Sequence, residues 1–211
     1  MTSPSPNILM GIGNENRCDD GVGTCLARHF EAPGWIALAC STAPENFTSV
    51  VRRHAPHRLV LVDAAELGMA PGAFRRVPPE RIADTGAGTH ALPLSVLIDF
   101  LTPCVTGEIL FIGIQPAILA DGEGLTAEVQ EGMRALAAVL SGQRFEEIEE
   151  WETLEGKRGE ACARQSTPTT PAPKRSETLR RGRQGLWRWG RGGPWPLPGL
   201  WTVCEETPTN A

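Results

Sequence analysis

The chain has 211 residues, with 20 Lys+Arg against 25 Asp+Glu and 41% hydrophobic residues. That length fits one domain or at most two, and the composition excludes a collagen, a wholly disordered chain and a small disulfide scaffold. Charge is divided unevenly: residues 1–150 hold 10 basic and 19 acidic residues, net −9, and residues 151–211 hold 10 basic and 6 acidic, net +4.

An acidic compact part of about 150 residues buries roughly two thirds of its unfolded surface. It lacks the basic face a general nucleic-acid binder needs, so no nucleic-acid partner is expected. The stretch Met1–Asn7 has no charged n-region, and no secretory signal is expected. No run approaches the ~18 apolar residues of a membrane span. The six cysteines (18, 25, 40, 104, 162 and 204) show neither CxxC nor finger spacing. Buried, reduced thiols in a cytoplasmic protein are the expectation.

Ile8–Ile12 is a short apolar run closed by Gly13-Asn14, a buried strand entering a turn. From Asp19 to Phe30, Val22, Leu26 and Phe30 recur every four residues, and the two aspartates suit a helix N-terminus. Trp35–Cys40 reads as a second strand, Ser41–Asn46 as a loop, and residues 45–54 as a helix ending before Pro56. Arg58–Asp63 is the cleanest strand: four β-formers ended by an aspartate. Ala73–Val77 is a candidate edge strand, stopped by Pro78-Pro79. Ala83–Thr89 has the Gly/Thr content of a flexible loop. Leu92–Leu101 predicts a helix with Pro93 in its first turn, where a missing N–H is harmless. Glu108–Ile114 predicts a further strand, ended by Gln115-Pro116. Thr126–Leu140 predicts an amphipathic helix with Val129, Met133, Leu136 and Leu140 on one face and Gly142 beyond its end. Strands alternating with helices indicate an α/β layer fold with a mostly parallel sheet.

After about residue 145 the pattern dissolves. Gln165–Arg175 is Ser/Thr/Pro-rich and Leu179–Leu200 is Arg/Trp/Gly/Pro-rich. Such content does not bury enough apolar surface to offset chain entropy, and a disordered tail is expected. Arg/Trp interleaving also suits contact with RNA or an acidic partner. The abrupt change in residue usage also fits a reading-frame shift.

In α/β sheets ligands gather at the carboxyl ends of strands. Three polar features fall there. Gly13–Gly21, with Asp19 and Asp20, follows the first strand. Asp63 ends the third. Thr89-His90 precedes a helix. Asp20, Asp63 and His90 together form a candidate divalent-metal site, and carboxylate and imidazole donors suit nickel or zinc better than magnesium. A lone aspartate at a helix start is ordinarily a cap, and Asp19 reads as one. Asp20 and Asp63 are also compatible with an aspartic-type pair holding water. Dinucleotide binding is disfavoured, because Gly11-Ile-Gly13 lacks the third glycine of its fingerprint. Cys18 is a poor nucleophile beside two carboxylates, which disfavour a thiolate. Cys40 and Ser41 end a strand with no assignable base.

Gly11-Ile-Gly-Asn14 with Asp19-Asp20-Gly-Val-Gly23 resembles the opening motif of the hydrogenase maturation endopeptidases. Ser41–Asn46, Leu61–Ala65, Pro71-Gly72, Thr89–Leu94, Leu97–Leu101 and Phe111–Pro116 resemble that family's successive blocks, in its order. The likeness covers roughly residues 7–145 and is greatest to the hydrogenase 3, formate-hydrogenlyase-type branch. It implies a phosphorylase/hydrolase-like three-layer sandwich, a twisted sheet between helices. It places residues 1–146 in the protease domain and leaves residues 147–211, the low-complexity tail, with no inherited function. It implies that Asp20, Asp63 and His90 contact nickel carried by a [NiFe]-hydrogenase large-subunit precursor. The enzyme would then release that precursor's C-terminal extension as a cytoplasmic monomer. The Glu15–Cys18 insert is more polar than in many relatives. The competing expectations are a non-proteolytic chaperone of the precursor or metal, and a pseudoenzyme whose tail blocks the cleft.

Overall fold

The computed structural model describes residues 5–87 and 93–152. The elements follow the apolar runs. In chain order they are β1 (Asn7–Ile12), α1 (Val22–His29), β2 (Trp35–Ser41), α2 (Thr48–His54) and β3 (Arg58–Ala64), then β4 (Phe74–Arg76), α3 (Leu94–Leu101), β5 (Glu108–Ile114) and α4 (Ala127–Ser141). Strands β2, β1, β3 and β5 pair in parallel in that order. Strand β4 closes the β5 side antiparallel.

The strands are near-continuous hydrophobic runs because both faces of the sheet are covered. One face carries Leu9, Val60, Val62 and Ile112 against Leu26 of α1 and Met133 and Leu136 of α4. The other carries Ile8, Met10, Leu61 and Phe111 against Val51 of α2 and Leu97 and Leu101 of α3. Helices on both sides make this a three-layer α/β sandwich.

The register puts Met10 beside Leu61 and Gly11 beside Val62, and Asp63 beside Gly113. From β1 the chain crosses to β2 through α1, then returns through α2 to the other side of β1 as β3. The winding direction therefore reverses between β1 and β3. Helices diverge from the sheet at such a point and leave a crevice at the strands' carboxyl ends.

Four local expectations need correction. Residues Pro44–Phe47 form a 3-10 turn, and α2 begins only at Thr48. Residues 83–85 are not loose: Pro79–Thr85 is a 3-10 turn, with Ile82 and Thr85 buried and the Thr85 hydroxyl donating to the Ile82 carbonyl at 2.7 Å. The buried isoleucine outweighs the glycines that follow. Residues 88 and 89 of that expected loop, and Leu92, lie outside the described residues. Pro93 precedes α3 instead of occupying its first turn. At the end of α4 it is Gln143, at φ 54°, that turns left-handed, while Gly142 stays at φ −77°. The amide of Gln143 reaches the Leu140 carbonyl and that of Arg144 the Val139 carbonyl, a Schellman closure displaced by one residue.

The described chain continues past residue 146. Arg76 N–H donates to the Glu149 carbonyl and Trp151 N–H to the Arg76 carbonyl, so Glu149–Trp151 covers the outer edge of β4. The Trp151 side chain is buried, and its indole N–H donates to the Leu67 carbonyl at 3.0 Å. The tail expected to be disordered lies outside the described residues from 153 onward.

Candidate active site

Glycine governs the first turn of the site. A Cβ at Gly11 would strike the Gly23 carbonyl and Ala27, and one at Gly23 would strike the carbonyls of Ile12 and Val62. Helix α1 therefore starts directly on the ends of β1 and β3. The hydroxyl of buried Thr24 donates to the Gly13 carbonyl at 2.8 Å and fixes that contact. Gly13 has φ 124°, a conformation that favours glycine. A side chain there would run into the Asp20 carbonyl, and its Cβ would stand 3.5 Å from Asp63 Oδ1.

Asp20 and Asp63 thus meet around Gly13-Asn14. Asp20 is half-buried in the 3-10 turn Cys18–Gly21, and its Oδ2 accepts the Asn14 N–H at 3.1 Å. Asp63 is 3% exposed near the end of β3, and its Oδ1 accepts the Ala64 N–H at 2.8 Å. His90 lies outside the described residues. Among the described residues no group of three His, Cys, Asp or Glu is arranged to hold a metal.

Asp19 is not a helix cap. It is wholly buried, and its carboxylate reaches across the molecule. Oδ2 accepts the N–H groups of Ala117 and Ile118, both at 2.9 Å, and Oδ1 accepts the Thr126 N–H at 2.7 Å. The Thr126 hydroxyl adds a further bond to the same carboxylate. The Cys18 N–H reaches the Gly122 carbonyl, and the Gly122 N–H the Asn16 carbonyl. The turn carrying Asp20 is therefore held to the 116–126 segment by its own neighbours.

Cys25 and Cys40 are not arranged as nucleophiles. Burial pushes the Cys40 thiol up to about 12. Burial, then the Glu15 carboxylate, pushes Cys25 up to about 11, with the Arg28 guanidinium opposing. Both stay protonated at neutral pH, and a thiol is a weak nucleophile compared with a thiolate. Cys18 is buried, with its sulfur beside Gly122.

A surface cavity of about 340 Å³ lies elsewhere, between Arg76, Pro79, Ile98, Ile109, Phe111 and Glu150. Its lining includes neither aspartate, so cavity size does not locate the chemistry.

The sequence model of the hydrogenase maturation protease family matches residues 22–143. The chain belongs to the hydrogenase maturation protease family. The hydrogenase 3 maturation protease of Escherichia coli K12 is 34% identical over 140 residues, an alignment covering 64% of this chain and 89% of that protein. A crystal structure of a hydrogenase 3 maturation protease superposes with a TM-score of 0.64 at 31% identity, covering 72% of this chain and 100% of the other. A [NiFe] hydrogenase maturation protease from Thermococcus kodakarensis KOD1 gives a TM-score of 0.58 at 26% identity, covering 67% and 93%. The maturation-protease assignment agrees with the family resemblance of the motifs and with the three-layer fold.

Sequence reasoning missed two buried, fully hydrogen-bonded polar residues of this maturation protease. Asp19 passed for a cap, and Gln115 passed for the residue that ends a strand. The available signal was a polar residue enclosed by apolar neighbours, Ile114-Gln115-Pro116. Such a residue needs partners if it is buried.

Proposed function

We propose that this protease removes the C-terminal extension of a [NiFe]-hydrogenase large-subunit precursor, using nickel already inserted in the precursor as its recognition element. Asp20, Asp63 and His90 are the residues assigned to contact that nickel, which arrives with the substrate. The convergence of Asp20 and Asp63 around Gly13, at the reversal point of the sheet, is the observation that supports this reading. Two carboxylates and an imidazole are donors that a divalent first-row ion accepts.

Nickel engagement sets the scissile peptide bond in the crevice. A carboxylate of the pair then takes a proton from the attacking water as its oxygen bonds to the carbonyl carbon. The carbon–nitrogen bond breaks, and the same proton passes to the departing amine. Polarisation of the water by nickel is the second source of activation. Compartment and assembly are part of the proposal, a cytoplasmic monomer. The free thiols at Cys18, Cys25, Cys40 and Cys104 suit a reducing compartment. No helix among the described residues is long and apolar enough to cross a membrane.

The test is processing of a nickel-loaded precursor by wild type and by Asp20→Asn, Asp63→Asn and His90→Gln, with the released peptide followed by mass. Each variant is expected to lose at least about a hundredfold in rate, the size of a lost general base, with an unchanged circular dichroism spectrum. Wild-type rates in all three variants would remove the site assignment. Tight precursor binding by the wild type with no peptide released would instead support the chaperone.

A further inference from the structure

Gln115 lies just past β5, is 5% exposed, and has no place in the chemistry above. Its carboxamide is fully engaged. Oε1 accepts the N–H groups of Leu67 at 2.7 Å and Met69 at 3.2 Å. Nε2 donates to Glu66 Oε1 at 2.9 Å and to the Pro116 carbonyl at 3.2 Å. Two acceptor sites and two N–H groups are all a carboxamide has. Two donors on one side and two acceptors on the other fix which end is oxygen. The backbone of Gln115 is engaged as well: its N–H meets the Ala73 carbonyl, and its carbonyl takes the Gly72 N–H.

These bonds hold the loop Glu66–Ala73, which begins three residues after Asp63. The loop is held in turn to the next part of the site. The Glu66 N–H donates to the Thr85 carbonyl at 2.8 Å. The Thr85 hydroxyl binds the Ile82 carbonyl and accepts the Ala87 N–H. On its other side, Pro116 leads within two residues to Ala117 and Ile118, whose N–H groups bind Asp19 beside Asp20. Segment 114–118 therefore binds the Asp20 turn and the loop behind Asp63 directly, and it reaches the 3-10 turn 79–85 through Glu66.

We propose that Gln115 is a positioning residue for the proteolytic reaction, keeping the loop behind Asp63 in register with the 79–85 turn so that the crevice is formed before the precursor arrives. This rests on the protease reading above. A carboxamide suits the task because neither leucine nor glutamate reproduces it. Leucine leaves the N–H groups of Leu67 and Met69 unpaired. Glutamate accepts from both, but turns a second carboxylate onto Glu66 and the Pro116 carbonyl, where a donor is needed. Protonation of that carboxyl pair restores one of the two lost donors.

The experiment compares full-length wild type, Gln115→Leu and Gln115→Glu from pH 5.5 to pH 8. It measures kcat and KM for nickel-loaded precursor, and amide exchange at residues 64–73 and 79–87. Glu66 is the titratable group in contact with the carboxamide, and wild type at the same pH corrects for the site's own titration. In Gln115→Leu, exchange at Leu67 and Met69 and processing should each worsen about tenfold, the scale of one or two lost hydrogen bonds, at every pH. In Gln115→Glu, both should worsen at pH 8 and recover as pH falls, in the same sample. Wild-type exchange and rates in Gln115→Leu would overturn the proposal. So would a loss in Gln115→Glu that does not respond to pH, including one caused by misfolding. If the wild type releases no peptide, the protease reading fails instead, and the exchange data still decide whether Gln115 sets the loop.

Discussion

Asp19 and Asp20 are adjacent, chemically identical and differently employed. Asp19 satisfies distant backbone donors in a fully buried position, and half-buried Asp20 accepts one local N–H. Asn at position 19 has one acceptor oxygen and turns an NH2 group toward N–H donors. Asp19→Asn should therefore lower stability by about 2–4 kcal/mol, read as a shift of the urea midpoint. Asp20→Asn keeps an acceptor for Asn14 and should change stability by less than about 1 kcal/mol. The buried thiols have their own pH signature. Cys25 and Cys40 hold their protons to about 11 and about 12 in the fold, and the unfolded chain releases them near the ordinary thiol value of about 8.5. Above that value the native state binds more protons, so unfolding is favoured as pH rises. The urea midpoint should fall from about pH 8.5 upward through the folded values of about 11 and about 12, and Cys40→Ala should flatten that fall.

At the scale of elements, the C-terminal end of α4 carries avoidable strain. A non-glycine residue in the left-handed region costs about 1–2 kcal/mol, and glycine returns about 0.5–1 of that as chain entropy. Gln143→Gly should stabilise the protein by about 0.5 kcal/mol, measured as a raised melting temperature. The sequence marked this helix end correctly to within one residue. It could not rank Gly142 against Gln143, because the choice depends on which amides reach Val139 and Leu140. Strands β1, β3 and β5 were legible because each is buried on both faces and so reads as an unbroken apolar run. The 79–85 turn was not legible, since its order comes from Ile82 packing beneath α3 and from a long-range bond to Glu66. Trp151 and the edge it covers were hidden for the same reason: Leu67, which accepts its indole N–H, is 84 residues away.

Over the whole molecule, the sheet reversal between β1 and β3 determines where chemistry is possible. It brings Asp63 beside the turn that carries Asp20, a meeting of residues 43 positions apart that no local pattern encodes. The motif order still pointed there, because glycines at 11, 13 and 23 are the ones that admit α1 onto the strand ends. The central claim is that this crevice cleaves a precursor only after nickel is in place. The direct measurement offers one precursor, with and without nickel, to the full-length protein and follows the C-terminal peptide by mass spectrometry. The account predicts release from the loaded precursor alone. Equal release from both forms, or release from the nickel-free form alone, would contradict it.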